Sequence, residues 1–482
     1  MVIWKGRLRS RSGKGTPGRR RARLLVAASV LAVIALAAGC SSSSSAPAPA
    51  SSAAAASGSS GSSGTGGTPA SGTAAPGTDV GLTSTTIRIA SIDDINTAVE
   101  PGMFQRNVNA VQAWAAMVNA HGGLAGRKVV VDVCDSKLDP NATTNCVIKA
   151  CQNDFAMVGT AANALTDFSD LDTCKDAAGV SIGIPNLAAF GFPPYSCDKV
   201  TYMVGGVGSY CATAKDNPQT YTVNIADFRY YESHFPDLHG VWVYNDDVPT
   251  VRITSVPGFQ AGVNLGIKKD GEGFYPSSGA APQSALTPIV QVMKQDSSTL
   301  GYGGATPQNT ILLRKEAQLQ GLNSVRVWAC NSGCYDQSFL QQGGSAVSGE
   351  YALLNYLPFY TDYTSNPTLK ALVSAVGGIA NINGNALESY IDALLFQDAV
   401  GKAVANGGTL DRQTLFDALS KETSFNADGI IGSTNVAAHA PSPCAVIAQV
   451  QNGQWQRVYP AKPGTFDCNP ANLVTIKMNL SQ

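Results

Sequence analysis

The sequence predicts an α/β protein of two lobes, each built on a parallel sheet. Three observations point there. Strand and helix patterns alternate from Thr86 to Ile184, the alternation restarts at Val241, and about 400 residues follow the leader, too many for one small core.

Thr86 to Ile92 alternates and is rich in β-branched residues, which reads as a first strand. Val108, Val111, Trp114, Ala115 and Val118 recur at helical spacing, and Gly122-Gly123 ends that helix. Lys128 to Val133 reads as a second strand. Asp139-Pro140 supplies an N-cap and a first-turn proline for a helix running to Asn153. Phe155 to Gly159 is a buried-type strand, followed by a helix near Asp170 and a strand at Val180 to Ile184. In the second unit, Val241 to Tyr244 is a strand that ends in Asn245-Asp246-Asp247. Helices at Ser284 to Gln295 and Asn309 to Gln320 and a strand at Ser324 to Ala329 complete it. Near the end, Cys444 to Gln449 and Trp455 to Tyr459 flank Asn452-Gly453, a hairpin signature.

The first residues carry nine cations, Lys5, Arg7, Arg9, Arg11, Lys14, Arg19, Arg20, Arg21 and Arg23, and no acid. The apolar run Leu24–Ala38 is 15 residues, short of the roughly 20 that span a bilayer. A basic flank, a short apolar core and small residues after it form a secretory signal. Leu36-Ala37-Ala38-Gly39-Cys40 resembles a bacterial lipobox, which implies cleavage before Cys40 and lipid on its sulfur. A signal peptide is thus expected over 1–39, and a lipidated cysteine with a flexible Ser/Ala/Gly/Pro tether over 40–79. Such a tether has nothing to bury against its ordering entropy.

Removing nine cations from 33 leaves 24 against 34 acids, so the rest of the chain is acidic and carries no nucleic-acid signature. Besides Cys40 there are Cys134, Cys146, Cys151, Cys174, Cys197, Cys211, Cys330, Cys334, Cys444 and Cys468, an even number that reads as disulfides in an exported chain. Sequence adjacency suggests 134–146, 151–174, 197–211, 330–334 and 444–468, although connectivity does not follow from sequence alone. No C-x-x-C pair occurs, so no metal or other cofactor is expected.

Val118-Asn119-Ala120-His121-Gly122-Gly123-Leu124-Ala125-Gly126-Arg127-Lys128, leading to Asp135, resembles the helix-to-strand junction of type I periplasmic solute-binding proteins, in the branch of the leucine/isoleucine/valine-binding proteins. Tyr302-Gly303-Gly304-Ala305-Thr306-Pro307 and Ser389-Tyr390-Ile391-Asp392-Ala393 fall in that family's order, and the resemblance spans residues 84 to 460. It implies two Rossmann-like lobes joined by a three-crossover hinge that close on a solute. The lobes are expected at 80–235 with 355–430, and at 236–354 with 431–482.

Ligand residues carried over by motif order are Asp93, Asp94 and Asn96, then Thr160, Ala161, Ala162 and Asn163, then Leu187, Ala188 and Ala189 in the first lobe. In the second lobe they are Tyr244 and Asp246, Ala305 and Thr306, and Asn331 and Tyr335, with Tyr335 laying its ring on the solute. The loop at Leu187-Ala188-Ala189 lacks the hydroxyl that amino-acid binders use there, which argues against a branched-chain amino acid and leaves a small polar solute, amino acid or amide-like. The resemblance further implies a lipid-anchored monomer at the extracytoplasmic face, no enzyme, and an ABC permease as partner. A ligand-sensing receptor domain signalling to a membrane partner is the alternative. A secreted hydrolase is the remote one: no H-E-x-x-H occurs, and no G-x-S-x-G elbow is expected in the folded part.

Overall fold

The computed structural model describes residues 75–97, 101–189, 195, 197–204, 208–210, 219–245, 249–275, 282–304 and 306–480. The leader, Cys40, the tether up to residue 74, Cys211, Asp246 and Ala305 lie outside them.

The first lobe opens with β1 (Thr86–Asp93), α1 (Gln105–Ala120), β2 (Lys128–Asp135), α2 (Pro140–Asn153), β3 (Ala156–Thr160), α3 (Ser169–Thr173), β4 (Asn186–Ala188) and β5 (Thr201–Met203). The strands form an all-parallel sheet in the order β2-β1-β3-β4-β5. The start of α2 is set by Asp139, whose carboxylate accepts from the Ala142 amide at 2.7 Å, with Pro140 at its first turn.

β6 (Gly208–Tyr210), β7 (Gln219–Asn224) and α4 (Ala226–His234) lead to the second lobe. That lobe contains β8 (His239–Asn245), α5 (Pro249–Leu265), β9 (Lys268–Tyr275), α6 (Thr287–Gln295), β10 (Leu300–Gly304), α7 (Pro307–Leu319), β11 (Val327–Cys330), α8 (Gln337–Gly343) and β12 (Glu350–Leu354). The chain then forms α9 (Phe359–Asp362), α10 (Pro367–Ala375), α11 (Gly384–Ala403) and α12 (Arg412–Leu419), of which α11 packs on α1, β3 and β4 of the first lobe. β13 (Val446–Gln451) and β14 (Gln454–Tyr459) return to the second sheet, and β15 (Leu473–Met478) pairs antiparallel with β7.

The second sheet runs β14-β13-β12-β11-β10-β8-β9, parallel except for the added hairpin β13–β14. Counted within each lobe, the parallel strands repeat one order, 2-1-3-4-5. In such a sheet the strand order reverses between the first and third strands, and a crevice opens there at the carboxyl ends. In this chain those places are β1/β3 and β8/β10.

The chain passes between the lobes three times: from β5 toward β7, from β12 to α9, and from α12 to β13. The last two crossings lie side by side. Tyr356 bridges Ile431 antiparallel, and the Leu357 amide donates to the Ile430 carbonyl at 2.7 Å. A buried ion pair between Arg457 of β14 and Asp362 of α9, at 2.5 Å, ties the same region together. Residues of β7 and α4 share a hydrophobic core with the second sheet, including Tyr221, Phe228, Tyr231 and Trp242.

The strand expected at Val180 to Ile184 is displaced to Asn186–Ala188. The amides of Ile182, Gly183 and Ile184 turn back to the carbonyls of Cys174 and Leu171, and the sheet is joined only after Pro185. The hairpin turn has positive φ at both central residues, 52° at Asn452 and 73° at Gly453, as a type I′ turn requires. Disulfides join Cys134–Cys146, Cys151–Cys174, Cys330–Cys334 and Cys444–Cys468, and Cys197 is also disulfide-bonded. Among the described residues no helix is long and apolar enough to cross a membrane.

Candidate functional site

The carboxyl end of the first sheet is held by carboxylates. Asp94 accepts from Ser136 Oγ at 2.7 Å, from the Leu138 amide at 2.7 Å and from the Asn163 amide at 2.8 Å, which fastens the loop after β3 to the end of β1. Ala161 bridges Asp93, and Ala162 accepts from the buried Tyr195 hydroxyl at 3.0 Å. Thr160 is fully buried and donates to Asn186 Oδ1, opening a polar chain through Thr201 to Asp198. Asn96 is exposed, and its amide and side chain both donate to Asp135.

These environments separate three neighbouring acids. Burial pushes Asp93 well above the usual carboxylate range, although Ser91 donates to it at 2.6 Å, and its other oxygen has no partner. Burial also raises Asp94, against the pull of its three donors. Burial opposes the charge on Asp135 too, but donors from Asn96, Ile95 and Lys137 outweigh it and lower that group.

In the second lobe Tyr244 is the last residue but one of β8, buried against Phe259 and Phe274. Thr306 caps α7 by accepting from the Asn309 amide at 3.3 Å. Asn331 follows β11, is exposed, and accepts from the Gly333 amide at 2.9 Å inside the ring closed by Cys330–Cys334. The structure thus brings Asn96 and Thr160 to Asn163 to one sheet end, and sets Tyr244, Thr306 and Asn331 at the matching ends of the other.

Leu187 and Ala188 turn inward as buried strand residues in two different apolar clusters. Tyr335 takes a different place from the one expected. It is 0% exposed, packed against Phe359, Tyr360 and Trp455, and its hydroxyl accepts from the Tyr360 amide at 3.3 Å. The ring is core, with no face left for a solute in this conformation. Residues distant in sequence, on α9 and β14, cover it. Gly179-Val180-Ser181-Ile182-Gly183 does spell the hydrolase elbow pattern G-x-S-x-G, but Ser181 bridges Lys175 and the chain enters β4, not the helix that an elbow needs.

Sequence reading passed over the contact between the lobes. Arg106, in the first turn of α1 beyond the end of β1, pairs at 2.5 Å with Asp336, the N-cap of α8 beyond the end of β11. Asp336 is nearly buried and also accepts from the Ser338 amide at 2.6 Å. The next residue of α1, Asn107, is fully buried and donates to the Asn385 carbonyl at 3.0 Å and to Ser389 Oγ at 2.8 Å on α11. The one sequence signal for this junction was D-x-S at Asp336–Ser338, a capping spelling. The carboxyl ends of the two parallel sheets therefore face each other across an ion pair.

A family model described as "Periplasmic binding protein" matches residues 86–205 and 260–454. No curated protein matches the chain. Solved structures with a similar fold include a fatty acid ABC transporter substrate-binding protein from Thermomonospora curvata, 18% identical at TM-score 0.63, covering 81% of this chain and 98% of its own. A leucine binding protein from Thermotoga maritima is 17% identical at TM-score 0.59, covering 77% and 97%. A solute binding protein of an ABC transporter from R. palustris, in complex with benzoate, is 14% identical at TM-score 0.59, covering 80% and 98%. With its two parallel-sheeted lobes and a family match over most of its length, this chain belongs to the periplasmic binding protein family.

Proposed function

We propose that the protein captures a small polar solute, an amino acid or an amide-like compound, between its lobes and delivers it to an ABC permease. It acts from the extracytoplasmic face as a lipid-anchored monomer held through Cys40, and performs no catalysis. The observation that carries this reading is the Arg106–Asp336 pair, because it joins the carboxyl ends of both parallel sheets, where open α/β sheets receive ligands. Asn96 and Asn163 line one wall, with the buried Thr160, Ala161, Ala162, Leu187 and Ala188 behind it as support, and Thr306 and Asn331 line the other, backed by the buried Tyr244. Tyr335 shapes the second wall from inside the core. We assign residues 80–235 with 355–430 to one lobe and 236–354 with 431–482 to the other, except that β7 and α4 go with the second, whose core they share.

A thermal-shift panel of amino acids, amides, polyamines, short peptides and simple carboxylates tests the reading. A solute at 100 times its Kd raises stability by about 2.7 kcal/mol. A panel without a single saturable hit contradicts it.

A further inference from the structure

We propose that the N-terminus of α11 is a subsite for a carboxylate of the captured solute; the proposal rests on the solute-binding reading above. α11 has 20 residues and no acid in its first turn. Asn383 caps it, its side chain accepting from the Ala386 amide at 2.9 Å and its carbonyl from the Leu387 amide at 3.1 Å. The amides of Gly384 and Asn385 take no hydrogen bond among the described residues. Two free N–H groups and the positive end of a long helix favour an anion.

Tyr356 adds an independent observation. It lies in the crossover after β12, is 0% exposed, and its hydroxyl has no partner. That hydroxyl sits against the first residue of α11: a Cβ on Gly384 would lie 2.1 Å from it, so only glycine allows the approach. The Ser332 carbonyl oxygen, 3.2 Å from the same point, already accepts from the Tyr335 amide. A buried hydroxyl without a partner is costly, and an acceptor brought to this end would relieve it.

The surroundings do not oppose a negative charge. Glu388, one turn further on, is pushed by burial up to about 8 and is neutral at pH 7, although Asn355 bonds to it. Asp336 is already paired with Arg106. Asn107 and Ser389 fix this end of α11 to α1 and, through the Gly159 carbonyl at 3.1 Å, to β3 just before the Thr160–Asn163 loop. A carboxylate here would meet donors from the crossover and from the first lobe together.

Acetate and acetamide are matched probes, small enough to enter whatever the rest of the solute requires. The full chain, labelled with nitrogen-15 at glycine and asparagine, is titrated with each. Acetate should move the Gly384 and Asn385 amide resonances saturably, and acetamide should bind more weakly. Tyr356→Phe removes an unsatisfied group and keeps the fold; it should weaken acetate roughly tenfold, the worth of a hydrogen bond to a charged group. Unmoved amides, equal affinity for the two probes, or an unchanged Tyr356→Phe protein would overturn the subsite. If that happens while the solute panel yields a hit, the binding reading stands; a panel without hits removes both.

Discussion

Glu388 is 7% exposed and sits at the junction where α1, α11 and the second crossover meet. Burial raises it from an ordinary 4.5 to about 8 in the folded protein. Folding therefore takes up a proton between those values, and the folded state loses stability as pH rises from about 4.5 through about 8. Glu388→Gln cannot ionise. Its melting temperature relative to wild type should climb from pH 5 to pH 8.5, by an amount worth on the order of a few kcal/mol. A constant difference across that range would show that Glu388 is ionised in the fold. At the same scale, the position of the Thr160–Asn163 loop at the end of β3 was legible, because the strand before it fixes its backbone. The candidate site was not legible where partners come from afar. Tyr335 is covered by Phe359 and Trp455, and Arg106 meets a residue 230 positions away. No local pattern encodes either.

Among the elements, β1, α1, β2 and α2 were readable because periodicity and capping agree. The same holds for the final hairpin, where Asn452-Gly453 meets the dihedral demand of its turn. Other elements resist such reading. β12 is five consecutive buried residues without alternation, α5 carries Pro257 inside it, and β9 begins with exposed lysines on a sheet edge. Tertiary packing, more than local propensity, decides those segments. α11 also went unread at its start: Asn383 caps it, ahead of the Ser389 to Ala393 motif, which lies inside the helix, and Asn385 and Ser389 are Asn107's partners. Asn383→Ala should cost about 1 kcal/mol in chemical denaturation, the usual loss of an N-cap. An unchanged midpoint would mean that packing alone sets where this helix begins, and that its first amides are not held in place by the cap.

Across the whole molecule, one strand order is used twice, and the two switch points are brought together by three crossings and an ion pair. A jaw built this way closes only if the solute contributes more to the closed arrangement than to the open one. Both walls must therefore be needed. Asn163, half-buried in the first lobe, and Asn331, exposed in the second, are positions where a large side chain can be added without breaking a core. The most direct measurement is calorimetric titration of the strongest panel hit into wild type, Asn163→Trp and Asn331→Trp, with circular dichroism confirming each fold. Loss of binding in both variants is the predicted result. Wild-type affinity in either folded variant would contradict capture between the lobes.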